Sequence, residues 1–354
     1  MTKRTLLTAF KTIKGELART LSKLGQWESW QRLGLRVAIR YLDPERPRRF
    51  PTSIQIEATT KCNLRCPSCS HAREKGPGQH LTGEGLQRIL DRLPSTPARV
   101  RLSGIGEPLV NPHFFALVDI LAERGIKCDF ITNGTLLTTG RRDAILSRHN
   151  IEEVVISCDG ARKATFESLR LGADFENWKQ LVGQFVAEAR QRRHQTLCIS
   201  SSVVISKQNL NELGDIIRLV SGLGFDEVTI LAPVPVDDVA ASLWPSQVEM
   251  STIREGDLFE LAAALGVGLF CGLRRPALLP KRMPRCLQPW EYVFIRTDGA
   301  VAPCCALFGS DKGAVMGNVL QQDFVEVWRG DRFREFRRTS ASGTNSLCLV
   351  CPYY

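Results

Sequence analysis

The chain has 354 residues, 43% hydrophobic and 24% charged, a balance that excludes a disordered or low-complexity chain and accommodates one large domain with a smaller appendage. Its formal charge of +10 is lopsided: residues 1–50 hold twelve Lys and Arg against four acids, so the rest is nearly neutral and no nucleic-acid-binding body is expected. The apolar stretch from Leu261 to Leu273 is too short to cross a bilayer, and the N-terminus has no compact apolar segment ending in a cleavage site, so a cytoplasmic protein without a cleaved signal is expected.

Leu6, Phe10, Ile13, Leu17, Leu21 and Leu24 recur at three- and four-residue steps, which predicts a basic amphipathic helix in the arm 1–50. That helix either packs on the catalytic domain or makes a peripheral contact with an anionic membrane or a partner. Pro44, Pro47 and Pro51 mark the boundary.

From residue 53 short strand-like runs alternate with helical ones, the signature of βα units and a parallel sheet. The predicted strands are Ser53–Ala58, Arg99–Ser103, Cys128–Thr132, Val154–Ser157, Leu197–Ile205 and Glu227–Leu231, with helices at about 82–93, 112–125, 139–148, 163–193 and 209–223. The expected fold is α/β, a partial (β/α)6 barrel over 51–235 that collects ligands at the C-terminal strand ends. A helical connection is predicted over 236–283. In the Cys-rich segment 284–354, Tyr292–Arg296 and Ala300–Pro303 flank Thr297-Asp298-Gly299 as a hairpin, and a short helix covers Phe324–Arg338.

Twelve cysteines would suggest disulfides in a small secreted domain, but seven of these fall in two groups, Cys62/Cys66/Cys69 and Cys304/Cys305 with Cys348/Cys351. In a long chain without a secretory signal that grouping favours metal ligation. Cys128, Cys158 and Cys198 lie in apolar runs, where a thiol packs as a small hydrophobe. The run Lys61-Cys62-Asn63-Leu64-Arg65-Cys66-Pro67-Ser68-Cys69 directly follows the first strand. Three thiolates on one loop can hold three irons of a cubane and leave the fourth open. A zinc knuckle needs a fourth ligand, and His71 is the only near candidate.

This loop resembles the cluster motif of the radical S-adenosylmethionine (SAM) superfamily, and the resemblance runs over roughly residues 53–232. Ser103-Gly104-Ile105-Gly106-Glu107-Pro108 resembles that family's Gly-Gly-Glu-Pro motif, with Ile105 at the place of the first Gly; Thr132-Asn133-Gly134 and Ser157-Cys158-Asp159-Gly160 match two later strand-end stations. The resemblance implies a [4Fe–4S] cluster on Cys62, Cys66 and Cys69. It also implies a SAM site lined by Gly106, Glu107, Asn133, Ser157 and Asp159, with Arg170 toward the SAM carboxylate. Ser201, Ser202 and Leu231 are positional candidates for the ribose and adenine.

The tail is similar to a SPASM or shortened twitch domain, through Cys286-Leu287-Gln288-Pro289-Trp290, Asp298 to Cys305, Gly317-Asn318-Val319 and Cys348-Leu349-Val350-Cys351-Pro352. This implies one auxiliary [4Fe–4S] cluster in a small α+β domain, on Cys286, Cys304, Cys348 and Cys351, with Cys305 as the alternative to Cys304. A four-Cys zinc site is the structural rival.

The expected activity is that of a radical SAM oxidoreductase. A 5′-deoxyadenosyl radical abstracts hydrogen from a sugar, aminocyclitol or related small molecule or glycan, and the electron left over passes to the auxiliary cluster. The alternatives are a sugar epimerase, with Cys271 ahead of Arg274 and Arg275 as hydrogen donor, and a maturase of a ribosomally made peptide. A non-enzymatic zinc or RNA-binding module is the rival from another class. The implied electron donor is a flavodoxin or ferredoxin.

Overall fold

A computed structural model describes residues 50, 51, 53–73, 77–192, 197–233, 238–272, 286, 288–304, 314–349 and 351. The predicted arm helix, Cys305, Arg274 and Arg275 lie outside the described residues. All six predicted strands form: β1 (Ser53–Ile56), β2 (Arg99–Leu102), β3 (Lys127–Thr132), β4 (Ile151–Ser157), β5 (Cys198–Val204) and β6 (Glu227–Leu231). Each pairs in parallel with the next. A seventh, β7 (Gly268–Gly272), pairs in parallel with β6, so the stretch 236–283 is more than a helical connection. Gly268-Leu269-Phe270-Cys271-Gly272 continues an apolar run that reads as helix when taken alone.

The intervening helices are α1 (Gly83–Asp91), α2 (Phe114–Glu123), α3 (Thr139–Leu146), α4 (Lys163–Leu169), α5 (Phe175–Gln191) and α6 (Leu213–Gly222), followed by α7 (Glu255–Ala264). The single helix expected over 163–193 is therefore two. The chain breaks at Arg170–Asp174, where Gly172 takes φ +97, a conformation that side chains disfavour, and Leu171 O accepts a hydrogen bond from Arg65 N at 2.9 Å. Asp174 then restarts the helix by accepting from Asn177 N at 2.7 Å, an N-cap contact.

The tail does not stand apart from the barrel. Its hairpin, β8 (Tyr292–Ile295) with β9 (Ala300–Ala302), lies where the sequence predicts, and β8 pairs in parallel with β1. With β10 (Gly317–Asn318) the described residues form one ten-stranded sheet, ordered β10-β9-β8-β1-β2-β3-β4-β5-β6-β7. The predicted helix over 324–338 is broken at Gly330 into α8 (Phe324–Arg329) and α9 (Asp331–Ser342). Val293, Ile295, Phe324, Trp328 and Phe333 belong to the same apolar core as the barrel strands.

Strand alternation explains both faces of this sheet. Ile54, Ile56, Val100, Leu102, Cys128, Phe130, Val154, Ile156, Ile199, Val203, Val228 and Ile230 enter the core under the helices. The residues between them give a mainly polar inner face: Gln55, Glu57, Arg101, Ser103, Asp129, Glu153, Ser157, Ser200 and Ser202. Closed barrels fill that interior with layers of branched apolar side chains. Here Arg101 instead bonds Asp129 at 2.6 Å and Glu153 at 3.3 Å, and Ser200 donates to Glu153 at 2.7 Å. Such an interior suits a ligand cavity.

Candidate cluster and cofactor site

The cluster loop leaves β1 and is held from both sides. Gly106 N donates to Thr59 O at 3.1 Å and Glu107 N to Lys61 O at 2.9 Å. A Cβ on Gly106 would lie 2.4 Å from Lys61 O and 2.5 Å from Thr59 O, so the loop after β2 and the cluster loop touch backbone to backbone. On the other flank the break after α4 supplies Leu171 O to Arg65 N, and Leu64 is buried.

Cys62, Cys66 and Cys69 are half-buried on this loop, and none of the described cysteines is in a disulfide. Leu64 N donates to Cys62 Sγ at 3.4 Å and Asn133 Nδ2 stands 4.0 Å from the same sulfur. Burial pushes the Cys62 thiol up to about 11, and the negative charges of Glu107, Cys66 and Cys69 add to it. Burial also raises Cys66, against the pull of Arg170. Among the described residues no three His, Cys, Asp or Glu side chains are already drawn together tightly enough to hold a metal ion. The donor set itself fits an iron–sulfur cluster: three thiols of one loop within electrostatic reach of each other, on soft ligands that select such a group.

Glu107 is buried and its carboxylate is committed to the protein. It accepts from Leu109 N at 3.1 Å, Thr132 Oγ1 at 2.8 Å and Asn133 N at 2.6 Å. Burial raises its pKa, while these hydrogen bonds and Arg170 oppose the rise. Glu107 thereby positions Asn133, whose Nδ2 reaches Asn63 Oδ1 at 2.9 Å beside Cys62. The carbonyl of Asn133 is fixed in turn by Trp178 Nε1 at 3.1 Å. Trp178 packs on Phe166 with ring centroids 5.0 Å apart, and truncating such a buried Trp costs about 3–5 kcal/mol.

Ser157 Oγ and Ser202 Oγ face each other at 3.5 Å on the inner rim. Asp159 accepts from Val204 N at 2.8 Å and pairs with Arg170 at 2.6 Å. Arg170 Nε is buried without a partner. Burial alone would lower the pKa of this guanidinium, but Asp159 and Cys66 together raise it. The structure thus groups Arg170 and Asp159 around Cys66, and Glu107 and Asn133 around Cys62.

Other predicted positions fall elsewhere. Ser201 Oγ is buried without a partner on the core side of β5. Cys128 and Cys158 are core thiols as expected, but Cys198 is half-buried and pushed up to about 12 by burial and by Glu153, Glu227 and Asp226. The alternation of β5 puts Ile199 in the core and Cys198 on the polar face. Cys271 packs against the core with Leu269, while Phe270 between them occupies the inner face and is 63% exposed.

One residue that the motifs do not mark is Glu57. Fully buried, it accepts from Ile105 N at 3.2 Å and Thr297 N at 3.3 Å. It ties the loop after β2 to the turn of the tail hairpin, and its only sequence signal is a carboxylate alternating with Ile54, Ile56 and Ala58.

In the tail, Cys286, Cys304, Cys348 and Cys351 are half-buried. Cys351 N donates to Cys348 O at 3.0 Å, and Cys348 Sγ lies 3.4 Å from Ser340 Oγ on α9. Burial raises the Cys348 thiol, with Cys351 adding to the effect. With Cys286 and Cys304, these two make up the number of thiols that a fully ligated auxiliary cluster would need.

The model of the radical SAM superfamily matches residues 56–220, and that of the SPASM iron–sulfur cluster-binding domain matches residues 286–352. The tungsten-containing aldehyde ferredoxin oxidoreductase cofactor-modifying protein of Pyrococcus furiosus is 26% identical, over 84% of this chain and 86% of its own. The PqqA peptide cyclase of Rhodopseudomonas palustris is 29% identical, over 86% of this chain and 80% of its own. In the crystal structure of Streptococcus suis SuiB bound to S-adenosylmethionine the same fold recurs, with TM-score 0.67 at 17% identity over 96% of this chain and 80% of that one. The chain belongs to the radical SAM superfamily and carries a C-terminal SPASM domain.

Proposed function

We propose that this enzyme is a maturase that modifies a C–H bond of a ribosomally made peptide. When bound, the cluster on Cys62, Cys66 and Cys69 with SAM supplies a 5′-deoxyadenosyl radical able to take a hydrogen atom from an unactivated carbon. The chain's own residues hold and aim the reactants. Glu107 fixes Asn133 over Cys62, and Arg170, neutralised by Asp159, offers its buried Nε toward the carboxylate of SAM. Substrate lies along the polar inner face, where Arg101, Asp129, Glu153, Ser200 and Ser202 present donors and acceptors suited to peptide amides.

The observation that carries this reading over the small molecule expected from sequence is the likeness to the PqqA peptide cyclase along most of both chains. A peptide can reach the polar inner face without a separate recognition domain. The likeness to a cofactor-modifying protein supports a second reading, a non-peptide substrate. A flavodoxin or ferredoxin serves as electron donor in either case. Anaerobically reconstituted enzyme with SAM and reductant, offered short peptides encoded beside its gene, should release 5′-deoxyadenosine and change the mass of one peptide. Turnover only with a small-molecule fraction would replace the peptide by the second reading.

A further inference from the structure

Arg337, on α9, is fully buried. Its Nε donates to Pro289 O and its Nη1 to Trp328 O, both at 2.8 Å. The guanidinium carbon stands 4.2 Å from the Trp328 ring centroid and 4.5 Å from that of Phe333. Its Nη2 is buried with no hydrogen-bond partner, and no carboxylate among the described residues neutralises it. Burial pushes its pKa down to about 9, the mark of a charge held without an acid.

A lone buried cation is costly unless something compensates it. Ring faces offset part of that cost, and two carbonyls satisfy two of its three nitrogens. An anion is still missing. Two of the segments around Arg337 lead to tail thiols. Pro289 lies three residues after Cys286, and Gln288 Oε1 between them is also buried without a partner. Ser340, one helical turn beyond Arg337 on the same face of α9, touches Cys348 Sγ.

We propose that Arg337 is the buried counter-charge of the auxiliary cluster, which it stabilises in the reduced state. An iron–sulfur group on four thiolates is net negative and becomes more so on reduction. A fixed cation beside it therefore raises its potential, net charge being one of the levers that set such potentials. The inference rests on the assignment of Cys286, Cys304, Cys348 and Cys351 as the ligands.

The test uses full-length chain carrying Cys62→Ala, Cys66→Ala and Cys69→Ala, so that only the auxiliary signal remains. Arg337→Gln and Arg337→Met should keep about four irons. In a dithionite titration followed by electron paramagnetic resonance, their one-electron couple should move at least tenfold against reduction, about 59 mV. Both variants should also lose more thermal stability with iron loaded than without, because the unloaded protein is relieved of a lone charge. An unmoved couple at full iron content would leave Arg337 a packing residue and overturn the proposal. Should neither neutral variant fold, Arg337→Lys decides: keeping the charge, it should keep the couple, and a tenfold drop there refutes the charge argument. Full iron after Cys348→Ala and Cys351→Ala would instead overturn the ligand assignment, a separate failure.

Discussion

Arg170 and Asp159 form an ion pair of 2.6 Å at the point where the chain leaves α4, and the pair lies against Cys66. Both side chains are nearly buried, so each needs the other. Arg170→Met should cost about 3–5 kcal/mol, the range for stranding one partner of a buried pair. Asp159→Asn should cost a comparable amount, and the double variant clearly less than the two together. Urea unfolding of the cluster-free chain measures the cycle; strictly additive costs would dissolve the pair as a unit.

Gly106→Ala places a methyl group within 2.4 Å of Lys61 O. Two backbones must separate to admit it, and the cluster loop moves with them. The variant should lose about four of about eight irons after reconstitution and keep the other four in the tail. Cys62→Ala, Cys66→Ala and Cys69→Ala together should give the same count. Iron assay with sulfide analysis decides it, and undiminished iron in Gly106→Ala would mean that the loop tolerates the shift.

Glu107 carries a pH signature. Its folded pKa is raised, so the native state holds the proton longer than the unfolded chain does. Its contribution to stability is full below the ordinary carboxylate range and declines as pH rises through the raised value. Glu107→Gln removes that decline, and at neutral pH leaves one of Leu109 N, Thr132 Oγ1 or Asn133 N facing an amide donor, a loss of about 1–3 kcal/mol. Denaturant midpoints between acid and neutral pH should fall less steeply in the variant; parallel profiles would acquit Glu107.

The fate of the substrate radical can be read in D₂O. If the radical lost its electron to a cluster held by the tail thiols, the product would carry no solvent deuterium and would form one to one with 5′-deoxyadenosine. Replacing Cys348 and Cys351 should then stop product while sparing SAM cleavage. Return of hydrogen from a thiol would instead label the product carbon. Cys271 packs toward the core, which favours the unlabelled outcome. Mass spectrometry of the product distinguishes the two.

The family motifs of the candidate site are legible because they sit at strand ends, where spacing and turn residues are local signals. The six strands followed from alternation for the same reason. The break at Arg170–Asp174 has local signals, Gly172 with φ +97 and Asp174 as the next N-cap, which the helix formers on both sides mask. β7 was hidden because five residues with glycine at both ends show neither period clearly. Glu57 and Arg337 were missed because their meaning depends on partners brought from far along the chain, Thr297 for one and Trp328 with Pro289 for the other.

The parallel pairing of β8 with β1 has a consequence for how the protein is made. Until β8 emerges from the ribosome, β1 has an open margin beside the loop that carries Cys62, Cys66 and Cys69, and an uncovered strand margin invites wrong pairings between nascent copies. Closure of that margin, together with the Glu57 contact to Thr297, waits for residues 292–297. A chain cut short before β8 is therefore expected to be aggregation-prone.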